Sequence, residues 1–469
     1  MSKLTLMLLL IFSARAFGDG LPDLGDVSQG AVSPIQEKQI GQQSMMQIRA
    51  SKQYLDDPEI NDYLNTLGNK LVEFSNEPSQ EFEFFGVNDY NVNAFALPGG
   101  FIGVNAGLLL ITETESELAS VLGHEIAHVT QHHLARMVAS QQGDTMASIA
   151  AMAVALLAAR NSSQTSQAAL AGVQAHAMQK QLDFTRAHEQ EADRIGFETL
   201  QKAGFNTHAM PEFLERMQKA TRLIDGNAPN YLRTHPVTSD RIADIENRVS
   251  KQPYRLLPDS LDFQLVRIKL LAAQKTPNDA ISYFTDALTT HRHGNPVAEQ
   301  YGLVSSLLRN NEIARAKQEL AALPIHDDAM LATLAGRVKR AANDPDTLSY
   351  YQGALQNFPQ HRALIYDYVD LLLQNHQAAV AVKLLTDQIT RHPTDTMLYD
   401  LQARSYHQLH NPLEQHKAQA YSLAWQGNVP AAIGQLEIAK QSGGDFYQLS
   451  AIESDLRELR EMMADSAKK

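Results

Sequence analysis

Residues 118–140, LASVLGHEIAHVTQHHLARMVAS, place two histidines and a glutamate inside an otherwise apolar run. The apolar spacing predicts a helix that is buried over most of its surface, and buried ionisable groups require partners. His124 and His128 are four residues apart and therefore share one face of that helix, with Glu125 next to them. Any fold that this chain adopts must supply partners for these three side chains.

The spacing His-Glu-x-x-His favours a zinc site over the alternatives. Two imidazoles on one helical turn can bind one zinc ion, which lowers the pKa of its water to about 7. Glu125 would lie beside the ion and act as the general base in peptide hydrolysis. The alternatives that remain open are a pair of hydrogen-bonded core histidines, or a looser cluster that includes His132 and His133.

A zinc site of this kind needs a third protein ligand. Position 134, where a metzincin would carry its third histidine, is leucine. Further along, FTRAHEQEADRIGFETL carries Glu189 and Asp193 four residues apart on one helical face. Glu189 is the predicted third ligand, and Asp193 is expected to accept the N–H of a ligating histidine and fix its tautomer. Glu191 and Glu198 are the alternatives, as is a charged helix face that is simply solvated.

The hydrophobic pattern predicts an α+β fold that is mainly helical. EFEFFGV at 81–87 alternates as a strand, and VNAFALPGGFIGVN at 92–105 predicts two short strands joined at Pro98. Thr114 and Glu117 form a candidate capping box at the start of the helix that carries the HEIAH motif. From about Leu261 onward the pattern is helical throughout. Prolines 35 and 34 residues apart, the period of tetratricopeptide repeats, follow in that part: Pro324, Pro359 and Pro393.

The first residues predict export. Residues 1–18 combine Lys3, an apolar run and a small-x-small ending, which is typical of a cleavable signal peptide. The chain contains no cysteine, which suits an oxidising compartment such as a periplasm and leaves only His, Asp and Glu as metal ligands.

The net charge of −13 without a basic run argues against nucleic acid as a partner. The uncharged stretch at 145–159 predicts a buried or interfacial helix, with contact to a membrane surface as the alternative.

The pairing of HEIAH with TRAHEQEAD resembles the HtpX-type zinc metallopeptidases. The order of signal peptide, peptidase domain and repeats is similar to that of their periplasmic members. The resemblance implies one zinc ion per chain, bound by His124, His128 and Glu189, with Glu125 catalytic. It also implies a helical lid or insertion at 140–181.

The same resemblance implies roles for two further segments. It implies that His235, in NYLRTHPVTSDRI, approaches the zinc as a reversible fourth ligand that inhibits the enzyme, with Arg241 as a nearby electrostatic partner. Without the resemblance His235 is an ordinary loop histidine. The resemblance also implies an active-site edge strand that binds the substrate backbone, a role that physical reasoning allows for any unpaired strand beside the metal. A core hairpin is the alternative for that strand, whose residues are Asn93, Ala94, Phe95 and Ala96.

Together these patterns predict a signal peptide at 1–18, a zinc metallopeptidase domain at 19–255 and a tetratricopeptide-repeat domain at 256–469. The resemblance implies a periplasmic protease and chaperone in outer-membrane β-barrel assembly and quality control, with outer-membrane proteins as clients and the β-barrel assembly machinery as a partner. The alternative is a mainly non-proteolytic chaperone or adaptor that binds clients or assembly machinery through its repeats.

Overall fold

The computed structural model describes residues 33–139, 173–223, 230–290 and 294–467. The predicted signal peptide, the uncharged stretch at 145–159 and most of the predicted insertion at 140–181 lie outside these ranges. Within them, no helix is both long enough and apolar enough to cross a membrane. The structure is mainly helical with one small sheet, as the sequence predicts.

A three-stranded sheet follows two helices at the start of the described chain. Helices α1 and α2 begin at the capping residues Ser33 and Asp57, whose side chains accept hydrogen bonds from backbone N–H groups of the first turn. The strand order is β1-β3-β2, with β1 parallel and β2 antiparallel to β3. The element bounds are α1 Pro34–Ala50, α2 Pro58–Val72, β1 Glu83–Val87, β2 Ala94–Leu97 and β3 Phe101–Asn105.

Strands β2 and β3 are the two strands predicted around Pro98. They are joined by a turn in which Gly99 and Gly100 have φ angles of 77° and 90°, a region that other residues rarely adopt. The Pro-Gly-Gly sequence therefore determines the turn.

The two edges of the sheet differ in what covers them. Side chains from α2 bind the outer edge of β1: Asn65 Oδ1 accepts from Phe84 N at 3.0 Å, and Asn65 Nδ2 donates to Phe84 O at 2.7 Å. Asn61 Oδ1 accepts from Gly86 N at 2.8 Å. These amides replace a neighbouring strand, so the β1 edge is blocked. On the outer side of β2, the described residues place no strand.

Among the described residues, seven helices complete the N-terminal part of the chain. Thr114 is the N-cap of α4 as predicted and accepts from Glu117 N at 3.2 Å. The Glu117 carboxylate accepts from Glu113 N at 2.6 Å instead of from Thr114 N, so the reciprocal half of the box is shifted by one residue. The bounds are α3 Ala106–Ile111, α4 Glu115–Thr130, α5 His133–Ala139, α6 Val173–Lys202, α7 Ala209–Leu223, α8 Asn230–Thr234 and α9 Ser239–Val249.

The run at 118–140 does not form a single helix. It divides between α4 and α5 at His132, whose φ of 50° ends the first helix. No proline or glycine marks this break in the sequence.

The rest of the described chain consists of consecutive helices. Each predicted period proline follows a helix end: Pro324 follows α13, Pro359 follows α15 and Pro393 follows α17. The bounds are α10 Leu261–Gln274, α11 Pro277–Thr290, α12 Pro296–Arg309, α13 Ile313–Leu320, α14 Ala329–Ala341, α15 Thr347–Asn357, α16 Arg362–Gln374, α17 Ala378–Arg391, α18 Thr396–Gln408, α19 Pro412–Trp425, α20 Val429–Gln441 and α21 Phe446–Ala467.

The turns inside successive helix pairs share one backbone conformation. A non-glycine residue with φ between 53° and 59° occupies each of them, and the residues are Asn311, Asn343, His376 and His410. Helix pairs therefore recur at a near-constant interval, whereas their assignment to the tetratricopeptide family stays a prediction.

The apolar core continues across the predicted domain boundary at residue 255. One cluster of buried side chains includes Leu64 of α2, Leu122 of α4, Phe263 of α10 and Val304 of α12. An ionic contact reinforces this packing, since Lys269 of α10 binds both Asp57 and the buried carboxylate of Glu59. The N-terminal part and the first helix pairs therefore stabilise one another.

Replacing Lys269 with alanine is expected to lower the unfolding temperature, because the Glu59 carboxylate, 1% exposed, would lose its lysine partner and keep only the contact with His361 at 3.5 Å. Removing one partner of a buried charge pair costs about 3–5 kcal/mol. Burial raises the pKa of Glu59, but Lys269 and His361 lower it by more than burial raises it. The pKa of Glu59 therefore lies below its ordinary value. The pair therefore contributes stability above the ordinary glutamate pKa of about 4.3 and loses it as the pH falls.

Thermal unfolding followed by circular dichroism at pH 7 and at pH 4 measures this effect. The control is Lys219→Ala, which breaks an exposed pair with Glu215. An equal shift for both variants, or a Lys269→Ala effect that grows in acid, would contradict the role of this contact.

Candidate metal centre

The site forms where helices α4 and α6 cross with their backbones in contact. A Cβ atom placed on Gly196 would lie 2.9 Å from the backbone nitrogen of His124, and one on Gly123 would lie 3.2 Å from Gly196 O. Only glycines allow this approach. The crossing turns the HEIAH face of α4 toward the carboxylates of α6.

Four side chains converge at this crossing. The Nε2 atoms of His124 and His128 are 3.0 Å apart. Glu189 contributes Oε2 at 3.4 Å from His124 Nε2 and Oε1 at 3.5 Å from His128 Nε2. His235 places Nδ1 at 3.3 Å from His124 Nε2 and 3.0 Å from Glu189 Oε1. One ligand atom from each of the four residues lies within 4.8 Å of the other three.

These residues fit a metal ion. Ligand atoms at about 2.0–2.1 Å from a tetrahedral zinc ion lie about 3.3 Å apart. The separations of 3.0–3.5 Å from His124 and Glu189 to the other members of the cluster match that spacing. The lone pairs of three imidazole nitrogens and a carboxylate repel one another when they are directed at one position, and a cation bound there removes this repulsion. The four residues could therefore hold a metal.

Glu125 lies next to the cluster and is not one of these four residues. Its side chain is 1% exposed, and among the described residues neither carboxylate oxygen accepts a hydrogen bond. Its Oε1 lies 3.4 Å from His235 Nε2. A buried carboxylate without hydrogen bonds is available to interact with a group that is not part of the protein.

Arg241 neutralises the carboxylates behind the cluster. Its Nε and Nη2 atoms donate to Asp193 at 2.6 and 2.8 Å, and Nη1 lies 2.8 Å from Glu189 Oε2. Nη1 also donates to the carbonyl of Pro236 at 2.9 Å, which fixes the loop that carries His235. Asp193 Oδ1 lies 3.0 Å from His124 Nδ1. Asp193 thus occupies the position expected of a group that sets the tautomer of His124.

The pKa shifts follow from burial and from these contacts. Burial raises the pKa of Asp193 and of Glu189, but hydrogen bonds and charge from Arg241, His124 and His235 outweigh burial and lower both. Both carboxylates therefore remain ionised at neutral pH. Burial lowers the pKa of His128 to about 4, which keeps this imidazole in the neutral form that binds metals.

His124 shows the opposite balance. Burial lowers its pKa, but hydrogen bonds to Asp193 and Glu189 raise it to about 10. A proton and a metal ion would compete for its Nε2 lone pair.

Strand β2 lines the same cleft as Glu125 and His128. This cleft has a volume of about 140 Å³. Asn93 O accepts from Asn105 N at 3.0 Å, so the alternation of an antiparallel pair directs the backbone groups of Ala94 and Ala96 away from β3, toward the outer edge. Phe95 and Leu97 are buried in the core at the same time. Ala94 is also buried in the core, so the segment is a core hairpin whose β2 strand lies at the edge of the sheet, and its binding of a substrate backbone stays a prediction.

The remaining sequence candidates lie outside the cluster. His132 contacts Glu37 of α1 at 3.3 Å. His133 is buried, with its ring nitrogens near His128 and Glu191. Glu198 is exposed on α6.

Sequence reasoning missed two contributors to the site. The ring of Tyr231 packs against His235 at a tilt of 31°, with centroids 4.9 Å apart, and the backbone N–H of Tyr231 donates to Val92 O at 3.0 Å. Arg136 donates to Glu191 at 3.0 Å. The position of Tyr231 four residues before His235 was the only available signal for the first, and nothing in the sequence marked the second.

Known proteins resemble this chain over most of its length. A model of peptidase family M48 matches residues 58–249. The chain is 32% identical to the "Beta-barrel assembly-enhancing protease" of Yersinia pestis over 429 residues, which cover 90% of this chain and 87% of that protein. A protein with the same description from Escherichia coli K12 is 32% identical over 434 residues, covering 91% and 88%. A "Putative beta-barrel assembly-enhancing protease" of Vibrio cholerae is 41% identical over 252 residues, covering 54% of this chain and 52% of that protein.

Replacing Arg241 with methionine is expected to destabilise the metal-free protein strongly. The change leaves two buried carboxylates, Asp193 and Glu189, without their cation, at a cost of about 3–5 kcal/mol. Arg248→Met on the same helix is the matched control, because its pair with Asp244 is largely exposed. Thermal unfolding of both variants in the presence of a chelator provides the measurement. Equal unfolding temperatures for the two variants would refute the role assigned to Arg241.

Proposed function

Because this chain belongs to peptidase family M48 and is therefore a metalloprotease, we propose that it is a zinc metalloendopeptidase whose single zinc ion is bound by His124, His128 and Glu189. The observation that carries the proposal is the convergence of these ligand atoms at tetrahedral spacing beside the unsatisfied carboxylate of Glu125. The set contains no sulfur ligand and is made of nitrogen and oxygen donors that zinc accepts.

Each protein group has a separate task in this proposal. Zinc, when bound, supplies a Lewis acid that activates water and polarises the scissile carbonyl. Glu125 is the general base, and its lack of other hydrogen bonds keeps it available to take a proton and pass it to the leaving amine. The outward backbone groups of Ala96, which is partly exposed, pair with an extended substrate segment. Such pairing requires little of the substrate sequence.

His235 acts as a reversible inhibitor in the same proposal. A catalytic zinc site keeps one position open for water, and three protein ligands leave that position free. His235 Nδ1 occupies the fourth corner of the cluster, 3.0 Å from Glu189. The arrangement therefore corresponds to a closed state, which opens when the loop held by Arg241 withdraws His235.

The names of the relatives guide the proposed biological role. We assign the chain to the periplasm, reached through a signal peptide at 1–18, where it acts in the assembly and quality control of outer-membrane β-barrel proteins. Clients that stall during assembly expose unpaired strands, which suit the outer edge of β2 at Ala96. The helical region from residue 256 onward would recruit clients or the β-barrel assembly machinery.

A second function is favoured by the closed cluster itself. If His235 remains in place most of the time, the chain works mainly as a chaperone or adaptor that binds clients through its helical region. Proteolysis would then be confined to clients that displace His235. The two functions are separated by variants that affect only the cleavage step.

Glu125→Gln is expected to lower the rate of client cleavage about 10²–10⁴-fold, because the amide of glutamine cannot accept the proton from water. Zinc content should stay at the wild-type level, since Glu125 is not among the four clustered ligand residues. Cleavage of an unfolded β-barrel protein by the purified chain, with metal content measured in parallel, tests both expectations. Wild-type cleavage by this variant would end the peptidase proposal, whereas intact assembly support without cleavage would show that both functions exist.

His235→Ala is expected to raise the rate of cleavage, because it frees the fourth corner of the cluster. An exposed histidine of the helical region, His326, provides the matched control as His326→Ala. Initial rates on one unfolded client compare the three proteins. A rate for His235→Ala equal to or below that of the wild type would contradict the inhibitory role.

A further inference from the structure

The second ring nitrogen of His128 has its own partner. While Nε2 faces the cluster, Nδ1 lies 2.9 Å from Nδ1 of His133. His133 is buried, and its Nε2 lies 3.2 Å from Glu191 Oε2. Arg136 donates to the same carboxylate oxygen at 3.0 Å. The four residues form a continuous hydrogen-bonded chain that ends at the cluster.

For a neutral His133, one assignment of hydrogens satisfies this chain. Glu191 is an acceptor and takes N–H from Arg136 and from Nε2 of His133. A neutral His133 with hydrogen on Nε2 has an acceptor at Nδ1. His128 must then donate from Nδ1, which leaves the lone pair on its Nε2. That lone pair faces His124 and Glu189, where a metal ligand needs it.

The break between α4 and α5 makes this contact feasible. In an uninterrupted helix, residues five positions apart point in directions about 140° apart around the axis. Because His132 has a φ of 50°, the chain turns and brings the ring of His133 back onto His128, with centroids 4.8 Å apart. His188 of α6 stacks on one face of His133, with a centroid distance of 4.2 Å and an interplanar angle of 6°. The ring is thus held at its two nitrogens and on one face.

His124 and His128 are each supported by a carboxylate that an arginine holds. The support of His128 differs in that the His133 ring lies between the carboxylate and the metal-facing histidine. Asp193, held by Arg241, contacts His124 Nδ1 directly. Glu191, held by Arg136, reaches His128 Nδ1 through His133. Both carboxylates belong to α6 and lie two residues apart, so they project to different sides of that helix. Each of the two neighbouring imidazoles is thus oriented by its own carboxylate–arginine pair.

We propose that His133, supported by Glu191 and Arg136, is a positioning residue that holds His128 in the tautomer and orientation required to bind the metal ion. This inference rests on the zinc site of the proposed function. It gives a role to a buried histidine and to a carboxylate that would otherwise be only part of a charged helix face.

The test compares zinc affinities of the full chain, measured by competition with a fluorescent chelator after metal removal. His133→Phe keeps the ring stacked on His188 but cannot accept the hydrogen bond, and Glu191→Ala removes the far end of the chain. Both should weaken zinc binding about 10–100-fold, the usual cost of losing such a partner. His133→Gln, whose amide can accept from His128 and donate to Glu191, should regain most of the affinity. The exposed Glu198 on the same helix gives the control Glu198→Ala, which should bind like the wild type.

The outcomes separate this inference from the proposed function. Wild-type affinity in both His133→Phe and Glu191→Ala would overturn the positioning role while leaving the zinc site intact. Equal losses in His133→Gln and His133→Phe would overturn it as well, because a merely structural role predicts no rescue by an amide. If His133→Phe does not fold, as judged by thermal unfolding without zinc, the half-buried Glu191 carries the test. A wild-type chain that binds no zinc would overturn the proposed function first.

Discussion

The structure depends on one arrangement of charge: three imidazoles and a carboxylate that point at a single buried position. Such a cluster is tolerated only where every ionised group has a partner. Arg241 supplies that partner for Asp193 and Glu189, and the contact of Gly123 with Gly196 brings the two helices close enough for the ligand atoms to meet. The side-chain geometry is thus set by backbone packing at the crossing and by one buried guanidinium behind it.

Within the described residues, the two edges of the sheet differ in how they face this position. The β1 edge of the sheet is closed by Asn61 and Asn65, whereas the β2 edge lies in the cleft that Glu125 and His128 line. A strand added to β2 would run beside Glu125, the proposed general base. The helical region shares its core with the N-terminal part, so a partner bound there acts on a continuous structure. Recognition by the helices and presentation along β2 are compatible within one chain.

The sequence predicted the parts of this site that follow from regular periodicity. The four-residue spacing on a helix was sufficient to group His124 with His128 and Glu189 with Asp193, and alternation with a Pro-Gly-Gly turn was sufficient for β2 and β3. The mainly helical α+β class is confirmed. His235 was different, because a lone histidine before proline carries no signal of its own and entered only through family resemblance. The structure places it in the cluster, whereas its regulatory role stays a proposal.

Other features could not be predicted because they depend on tertiary contacts. The helix break at His132 has no glycine or proline to announce it, and the shifted partner of Glu117 depends on the path of the preceding turn. The amides that block β1 look like ordinary polar residues of an amphipathic helix. The role of Glu191 was equally hidden, since a glutamate between Glu189 and Asp193 is most simply a solvated side chain.

The most direct test of the central claim is a crystal of the zinc-reconstituted chain, with diffraction recorded on both sides of the zinc absorption edge. The account predicts one anomalous peak per chain, about 2.0–2.1 Å from the Nε2 atoms of His124 and His128 and within bonding distance of Glu189. No peak at this position in the reconstituted protein, or a peak with Glu189 turned away from the ion, would contradict it.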